Sequence, residues 1–353
     1  MARMTPIKVG SRMIGPGAPC FIAAEIGINH NGDMQLARQA IDAAADAGAD
    51  GVKFQNFRTE DFISDRSLTY EYVSQGKTVV ESQWDMFKRN ELKPEDLEGL
   101  ARHCERRGVV FFSTPSSPSG IDDLVRVGAP LLKNGSDYLV NLPLIRYMAR
   151  TGVPTVLSTG MATLGEIEEA VNAFRDSGGR DLILLHCTSA YPTPDADTNL
   201  RKIPTLARAF ECPVGFSDHT WGTVAAGAAL ALGACFVEKH FTLDRNLPGP
   251  DHRFSSDPAE LRALVETVRR TERCLGTEVV GPTPSEAEGR QQYRLSCVAA
   301  DDFPSGKVLQ VDDVAFRRPA TGLPPKFVDR LVGRKLAVAV KRGHLLSDAD
   351  FAS

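Results

Sequence analysis

Short apolar runs alternate with amphipathic stretches from Cys20 to about Thr242. The runs have strand length and lie at 21–27, 51–55, 109–114, 131–136, 154–159, 182–188, 213–218 and 235–241. Seven of them precede a stretch with helical periodicity, and 258–275 supplies an eighth helix. Near-continuous apolar strands that alternate with helices are typical of a parallel sheet covered by helices. Eight βα units predict an α/β fold, a closed (β/α)₈ (TIM) barrel. A doubly wound open sheet is the alternative, and no GxGxxG turn supports it.

Two departures from this alternation predict the domain organisation. An insertion at 57–94 follows the second run, where barrel enzymes place substrate-covering loops. Beyond residue 276 the chain becomes polar and contains prolines, so we expect a barrel domain over 1–276 and a linker over 277–290. The remaining 291–353 predict a small β-rich domain with strands near 297–300, 308–309, 314–317 and 336–338. Its core is marginal by itself, so we expect it to dock onto the barrel or onto a second subunit.

Composition excludes some functions. The 353-residue chain carries a formal net charge of −4 and no basic block, which argues against nucleic acid as the main partner. No window approaches the length and hydropathy of a membrane span. The seven cysteines are scattered without a CxxC spacing, so we expect mostly buried, reduced thiols in a cytoplasmic protein.

Two histidines end neighbouring predicted strands. His219 follows the seventh run and His240 ends the eighth, with a stretch of helical length between them. A right-handed βαβ unit makes these strands parallel, so both imidazoles project from the same edge of the sheet, the catalytic edge of α/β barrels. They are either core imidazoles or ligands of a shared metal. Two protein ligands are too few for structural zinc, so Mn²⁺ or Mg²⁺ completed by water and substrate oxygens fits better.

Basic and hydroxyl side chains converge on the same predicted edge. Lys53 and Lys133 stand at the ends of apolar runs, and several serines and threonines end the others. Lysines with hydroxyl donors favour an anionic, phosphate-bearing substrate, although a lone lysine can equally solvate a strand end. Residues two apart in a strand share a face, so Gln55 points the same way as Lys53. Glu25 either moves protons and orients water or forms an ion pair with Lys53; the two roles are compatible.

The strand-end motifs together resemble those of sialic acid synthases. The similar strings are Ala24-Glu-Ile-Gly-Ile-Asn-His-Asn-Gly32, Val52-Lys-Phe-Gln55, Leu157-Ser-Thr-Gly-Met161, Leu185-His-Cys-Thr-Ser-Ala-Tyr-Pro-Thr-Pro194, Gly215-Phe-Ser-Asp-His-Thr220, Val237-Glu-Lys-His-Phe-Thr242 and Leu247-Pro-Gly-Pro-Asp-His252. The tail, with Phe316-Arg-Arg318-Pro, is similar to the antifreeze-like (SAF) domain of these enzymes.

The resemblance implies a condensation of phosphoenolpyruvate with N-acetylmannosamine or a related amino sugar, which gives a nine-carbon 2-keto acid and phosphate. It implies that His219 and His240 bind the divalent ion, and that Glu25 helps place the attacking water. Phosphoenolpyruvate would be held by Lys53, Thr114, Lys133, Ser136, Ser158 and Ser217. The sugar would meet Gln55, Tyr191 and Asp251. Ser189, a further substrate-binding residue, stands where some members carry asparagine. Family members are dimers with exchanged tail domains, so Arg318 would reach the sugar of the partner subunit.

The chain departs from this family at Tyr138. Synthases usually carry an acidic residue there, and it contacts the sugar and does acid–base work. A tyrosine can donate a hydrogen bond, but its pKa near ~10 makes it a poor base at neutral pH. Strand alternation would aim the neighbouring Asp137 at the opposite face. The sugar half of the reaction is therefore the less closely matched half.

Two other functions remain as alternatives. One is another condensation of phosphoenolpyruvate with an aldose, but phosphorylated aldoses call for a second phosphate site, and the tail domain argues against it. The other is a non-catalytic barrel that binds the sugar or phosphoenolpyruvate, and only Tyr138 favours it.

Overall fold

The eight predicted barrel strands are all present in the structure, a computed structural model that describes residues 5–352. The strands are β1 (Ile7–Val9), β2 (Arg12–Ile14), β3 (Phe21–Gly27), β4 (Gly51–Asn56), β5 (Thr69–Ser74), β6 (Lys77–Ser82), β7 (Val110–Pro115), β8 (Leu132–Asn134), β9 (Thr155–Ser158), β10 (Leu182–Cys187), β11 (Val214–Asp218), β12 (Phe236–His240), β13 (Ser296–Ala299) and β14 (Val314–Arg317). The helices are α1 (Met34–Asp46), α2 (Thr59–Phe62), α3 (Gln83–Arg89), α4 (Pro94–Arg107), α5 (Pro118–Arg126), α6 (Leu142–Arg150), α7 (Leu164–Asp176), α8 (Lys202–Phe210), α9 (Val224–Ala231), α10 (Pro258–Leu275) and α11 (Ala287–Tyr293).

The barrel closes in chain order. The strand order is β3-β4-β7-β8-β9-β10-β11-β12, and β12 pairs with β3, all parallel. This arrangement confirms the predicted (β/α)₈ barrel and rules out the open sheet. Outward-facing strand residues such as Ile22 and Val52 pack against the helices in one core, and inward-facing residues such as Phe112 form another.

A short hairpin that the sequence analysis missed closes the N-terminal end of the barrel. Strands β1 and β2 pair antiparallel, and Ile7, Val9 and Ile14 pack into the inner core. Next to them Phe21 and Phe236 lie with ring centroids 4.9 Å apart. The lower half of the barrel is thus filled with apolar side chains, and the cavity lined by polar strand-end residues lies at the opposite, C-terminal end of the strands.

The predicted insertion at 57–94 has its own secondary structure. It contains α2, the antiparallel hairpin β5–β6, and α3, and α4 then resumes the barrel. Three of its phenylalanines pack edge to face, with ring centroids 4.9 to 5.5 Å apart: Phe57, Phe62 and Phe87. This aromatic cluster gives a long loop a small core of its own.

The chain divides into two compact units, residues 5–276 and 277–352. In the second unit α11 precedes the antiparallel pair β13–β14, around a core that includes Cys297, Leu309 and Leu336. Two of its four predicted strands are wrong: residues 308–309 and 336–338 make only single bridges, Val308 to Lys335 and Leu336 to Phe351. Turns beside these segments end the pairing after one residue.

Buried thiols are confirmed for six cysteines, and Cys274 is exposed. Within residues 5–352, no helix has the length and apolar character needed to cross a bilayer.

Candidate active site

A cavity of ≈ 490 Å³ opens at the C-terminal ends of the barrel strands. Every barrel residue predicted for the site lines it: Glu25, Lys53, Gln55, Thr114, Lys133, Ser136, Tyr138, Ser158, Ser189, Tyr191, Ser217, His219, His240 and Asp251. The remaining predicted residue, Arg318, belongs to the second unit, where it is exposed and its guanidinium lies 5.2 Å from the ring centroid of Tyr293.

Strand alternation explains why these side chains meet. Lys53 and Gln55 are two apart on β4, as are Ser217 and His219 at the end of β11, so each pair faces the barrel axis. The same spacing from His240 places Glu238 in the cavity. No role was predicted for Glu238, although its position two residues before His240 on the same strand is the signal that identifies it.

Glu238 joins the two buried lysines. Its Oε1 lies 3.0 Å from Lys53 Nζ and 3.6 Å from Lys133 Nζ, and it accepts a hydrogen bond of 3.1 Å from Ser217 Oγ. Burial by itself would raise the pKa of Glu238, but the two lysines outweigh it and lower the pKa to about 2. Glu238 is therefore ionised at neutral pH and contacts both lysines at the base of the cavity.

Glu25 has the opposite protonation behaviour. Burial raises its pKa to about 7, against the lowering effect of Lys53, whose Nζ is 3.5 Å from Glu25 Oε2. Gln55 Nε2 donates to Glu25 Oε1 at 3.0 Å, and Oε2 accepts no hydrogen bond from residues 5–352. A carboxyl group with a pKa near neutrality and a free oxygen suits proton transfer. The predicted ion pair with Lys53 is also present.

Several hydroxyl groups in the cavity are free to bind a ligand. Lys133 Nζ donates to Ser158 Oγ at 2.6 Å, so that the serine hydrogen is directed away from the lysine. Ser136 Oγ accepts from Gly160 N at 3.0 Å. A further buried hydroxyl in the cavity wall, Thr114 Oγ1, makes no hydrogen bond within the described residues. Unpaired buried hydroxyls are costly unless a ligand or water pairs with them.

The two imidazoles fit the requirements of metal ligands. Their ring centroids are 5.5 Å apart. His219 Nδ1 lies 2.7 Å from the carbonyl oxygen of Thr188 and donates to it, which leaves Nε2 with its lone pair towards Ser217 Oγ at 3.3 Å. Burial lowers the pKa of His219 to about 4 and that of His240 well below its usual range, so both rings are neutral near pH 7.

His240 also carries an orphaned polar atom. Its Nδ1 is buried and has no partner in the described part of the chain. No set of three or more histidine, cysteine or acidic side chains within residues 5–352 is arranged to hold a metal ion. A divalent ion at the two imidazoles would therefore take its remaining ligands from water and substrate, as octahedral ions commonly do.

Aromatic rings surround the imidazoles. The ring centroid of Tyr191 lies 4.3 Å from that of His219 and 5.6 Å from that of His240, and Phe254 lies 5.2 Å from His240. These rings exclude water on one side of the imidazoles and strengthen electrostatic contacts there.

The prediction for Asp137 is wrong. Both Asp137 and Tyr138 line the cavity, because residues 136–138 form a 3₁₀ turn and strand alternation does not apply to them. Burial, together with the charge of Asp137, raises the pKa of Tyr138 to about 12. Tyr138 can therefore donate a hydrogen bond at neutral pH but cannot act as a base.

The loop that carries Asp251 is anchored from two sides. Asn29 Nδ2 donates to the carbonyl oxygen of Phe241 and to Ser255 Oγ, both at 2.9 Å, and Ser255 Oγ donates to the carbonyl oxygen of Asp251 at 2.6 Å. From the insertion, Gln75 Nε2 donates to the carbonyl oxygen of Asn246 at 2.9 Å. Burial raises the pKa of Asp251 to about 6.

The fold and the cavity together define a (β/α)₈-barrel enzyme with a cationic, imidazole-bearing mouth. The profile of the NeuB family matches residues 40–280, and that of the SAF domain matches residues 296–352. This chain belongs to the NeuB family and is an enzyme of the sialic-acid-synthase type with a C-terminal SAF domain.

Named relatives extend over nearly the whole chain. N,N'-diacetyllegionaminic acid synthase of Legionella pneumophila is 37% identical over 341 residues, which are 96% of each protein. Human N-acetylneuraminate-9-phosphate synthase is 34% identical over 335 residues, 94% of this chain and 92% of that one. The crystal structure of N-acetylneuraminic acid synthetase from Leptospira borgpetersenii, in complex with citrate, matches with a TM-score of 0.73 and 35% identity over 81% of this chain and 95% of that one.

Proposed function

We propose that this enzyme condenses phosphoenolpyruvate with N-acetylmannosamine or a related acetamido sugar and forms a nine-carbon 2-keto acid and phosphate. The observation that carries the proposal is the meeting of two buried lysines and two neutral imidazoles in one cavity. The lysines suit a phosphate-bearing anion, and the imidazoles suit an ion that activates an aldehyde.

The phosphoenolpyruvate half uses the cationic base of the cavity. Lys53 and Lys133 would balance the charge of the phosphate and carboxylate, and Glu238 keeps the lysines in place before the substrate arrives. The hydroxyls of Thr114, Ser136 and Ser158 line the same cavity and would donate to substrate oxygens. Ser217 Oγ also lines it, but it donates to Glu238 Oε1 at 3.1 Å in the free enzyme and would have to turn towards the substrate on binding.

The sugar half uses the imidazole side of the cavity. A divalent ion held by His219 and His240, when bound, would polarise the carbonyl oxygen of the open-chain sugar. Gln55, Ser189, Tyr191 and Asp251 line the same cavity and would position the sugar. Tyr138 would donate a hydrogen bond to a sugar oxygen.

The proposed reaction forms one carbon–carbon bond and one carbon–oxygen bond, the latter from water, and breaks the carbon–oxygen bond to phosphate. Carbon 3 of the enol attacks the aldehyde carbon, whose oxygen takes a proton and becomes a hydroxyl. Water adds at carbon 2 and loses a proton, for which Glu25, with its pKa near 7, would be the acceptor. The tetrahedral intermediate then expels phosphate and leaves the keto group at carbon 2.

The cavity wall favours an unphosphorylated sugar. Among the described residues that line it, Lys53 and Lys133 are the only cations, and the pair is already held by Glu238. Phe57, Phe62 and Phe87 supply an apolar surface that suits the methyl group of an acetamido substituent. A sugar phosphate would need a second cationic group.

Phosphate release from phosphoenolpyruvate, measured with a panel of sugars and with or without Mn²⁺, tests the proposal. We expect release with an acetamido sugar, its dependence on added divalent ion, and its loss on treatment with a chelator. Binding of phosphoenolpyruvate without phosphate release for any sugar would instead support a non-catalytic binding barrel, the alternative that Tyr138 favours.

A further inference from the structure

A buried ion pair lies behind the two imidazoles, on the face of the barrel wall that points away from the cavity. Lys239 Nζ is 2.9 Å from Asp218 Oδ2, and their side chains are 4% and 0% exposed. The two residues are register partners on β12 and β11, and each immediately precedes one of the histidines in the chain. Neither lines the cavity, because alternation turns them to the opposite face.

The ion pair also fixes the turn that follows His219. Asp218 Oδ1 accepts hydrogen bonds from Thr220 N at 2.9 Å and from Thr220 Oγ1 at 2.7 Å. Lys239 Nζ donates to the carbonyl oxygen of Thr220. Thr220, the residue after His219, is therefore hydrogen-bonded to both Asp218 and Lys239. Lys239 lies on β12, the strand that carries His240.

Packing alone does not account for charges at these positions. The residues two places earlier on the same faces, Phe216 and Val237, are apolar and buried. A hydrophobic pair of similar volume is generally as stabilising as a buried ion pair, or more so, because the charges must lose their hydration. What a charged pair adds is directional bonding, here to the single residue Thr220.

We infer that Asp218 and Lys239 are positioning residues that set the spacing and orientation of His219 and His240 for a shared divalent ion. The inference depends on the metal site of the proposed function. Two protein ligands must be held in place before the ion arrives, since no third side chain corrects their geometry. The hydrogen bond from His219 Nδ1 to the carbonyl oxygen of Thr188 fixes the imidazole ring. The ion pair fixes the backbone that carries His219.

Titration of the purified full-length protein with Mn²⁺ by calorimetry tests this inference. Asp218→Asn keeps an oxygen that can accept from Thr220 but removes the charge, and Lys239→Met keeps the length but removes the donor. We expect each variant to bind Mn²⁺ about 10- to 100-fold more weakly than the wild type, the range typical of lost outer-sphere support. Binding of phosphoenolpyruvate, measured in the same way, should not change.

Two further variants separate positioning from loss of stability. The double variant Asp218→Asn/Lys239→Met leaves no unpaired buried charge, so it should fold even where a single variant does not, and it should still bind Mn²⁺ weakly. Asp50→Asn breaks another ion pair of the barrel, Asp50 with Arg269 at 2.5 Å, near the N-terminal end of β4. It should lower the melting temperature and leave the Mn²⁺ affinity unchanged.

Each outcome decides a different point. Wild-type Mn²⁺ affinity in the double variant would overturn the positioning role, and so would an equal loss of affinity in Asp50→Asn. A wild-type protein that binds no divalent ion would contradict the proposed metal site itself, and the positioning role with it.

Discussion

Glu238 Oε1 lies 3.0 Å from Lys53 Nζ, although the strands that carry them, β12 and β4, are separated by β3. The bond crosses the inside of the barrel and also brings Glu238 within 3.6 Å of Lys133. A single carboxylate therefore offsets part of the positive charge of the two lysines that we propose to bind the substrate anion.

Glu238→Gln should destabilise the free enzyme and increase the stabilisation that phosphoenolpyruvate provides. Removing one member of a buried ion pair costs about 3 kcal/mol, because the lysines keep their charge without a full partner. An anionic ligand would replace that partner. Thermal unfolding with and without phosphoenolpyruvate measures both effects; a ligand-induced shift no larger than in the wild type would contradict the proposed location of the anion.

Tyr138→Glu should change the preference among sugars. It places an acidic group where the resemblance to sialic acid synthases predicts one, within the same 3₁₀ turn. Initial rates of phosphate release over a panel of acetamido sugars give the ratios of kcat/KM. Tyr138→Phe is the matched control, because it removes only the hydroxyl. Identical ratios for all three proteins would exclude Tyr138 from sugar recognition.

Stability should fall below neutral pH partly because of His30. Burial lowers its pKa to about 4, while an unfolded histidine titrates near 6.5, so only the unfolded chain takes up this proton as the pH falls through that interval. The contribution of neutral His30 to the free energy of unfolding is complete above about pH 6.5 and disappears towards about pH 4.

Gly32 N donates a hydrogen bond to His30 Nδ1 at 3.0 Å. The variant His30→Asn keeps a hydrogen-bond acceptor for Gly32 N, but the asparagine side chain cannot be protonated. Between about pH 7 and about pH 5 the wild type should lose about 2 kcal/mol more free energy of unfolding than this variant. Urea unfolding at the two pH values measures the difference. Parallel losses in the two proteins would show that His30 can accept a proton in the folded state.

Arg318 should act in the active site of a partner subunit. A mixture of His219→Ala and Arg318→Ala proteins, unfolded and refolded together, would then contain dimers with one intact site. With random pairing we expect about a quarter of the wild-type activity, although each variant alone is inactive. No recovery in the mixture would contradict the exchange of tail domains. Size-exclusion chromatography with light scattering checks that the mixture is dimeric.

The eight barrel strands and the inward direction of most site residues could be predicted from the sequence. Alternation along a strand is local: once residues 51–55 are a strand, Lys53 and Gln55 must share a face, and His219 and His240 must end their strands on one side. The βα repeat then restricts the connections to a single handedness. These local rules account for the site residues that lie on the strands or directly at their ends. Ser189, Tyr191 and Asp251 lie on loops, and they were predicted only from the resemblance to sialic acid synthases.

Other features depended on the tertiary structure. Alternation failed at Asp137, because β8 ends at Asn134 and residues 136–138 form a 3₁₀ turn. The bond between Lys53 and Glu238, the ion pair between Asp218 and Lys239, and the aromatic cluster of the insertion all join residues distant along the chain.

The sequence by itself determined the barrel, the direction of its inward side chains and the residue types available for chemistry. Only the tertiary structure decided which of those groups neutralise one another, which hydroxyls stay free for a ligand, and how the two imidazoles are held. The physical reason is that hydrophobic periodicity acts over a few residues, whereas the pairing of buried charges is fixed only when β12 meets β3 and the barrel closes.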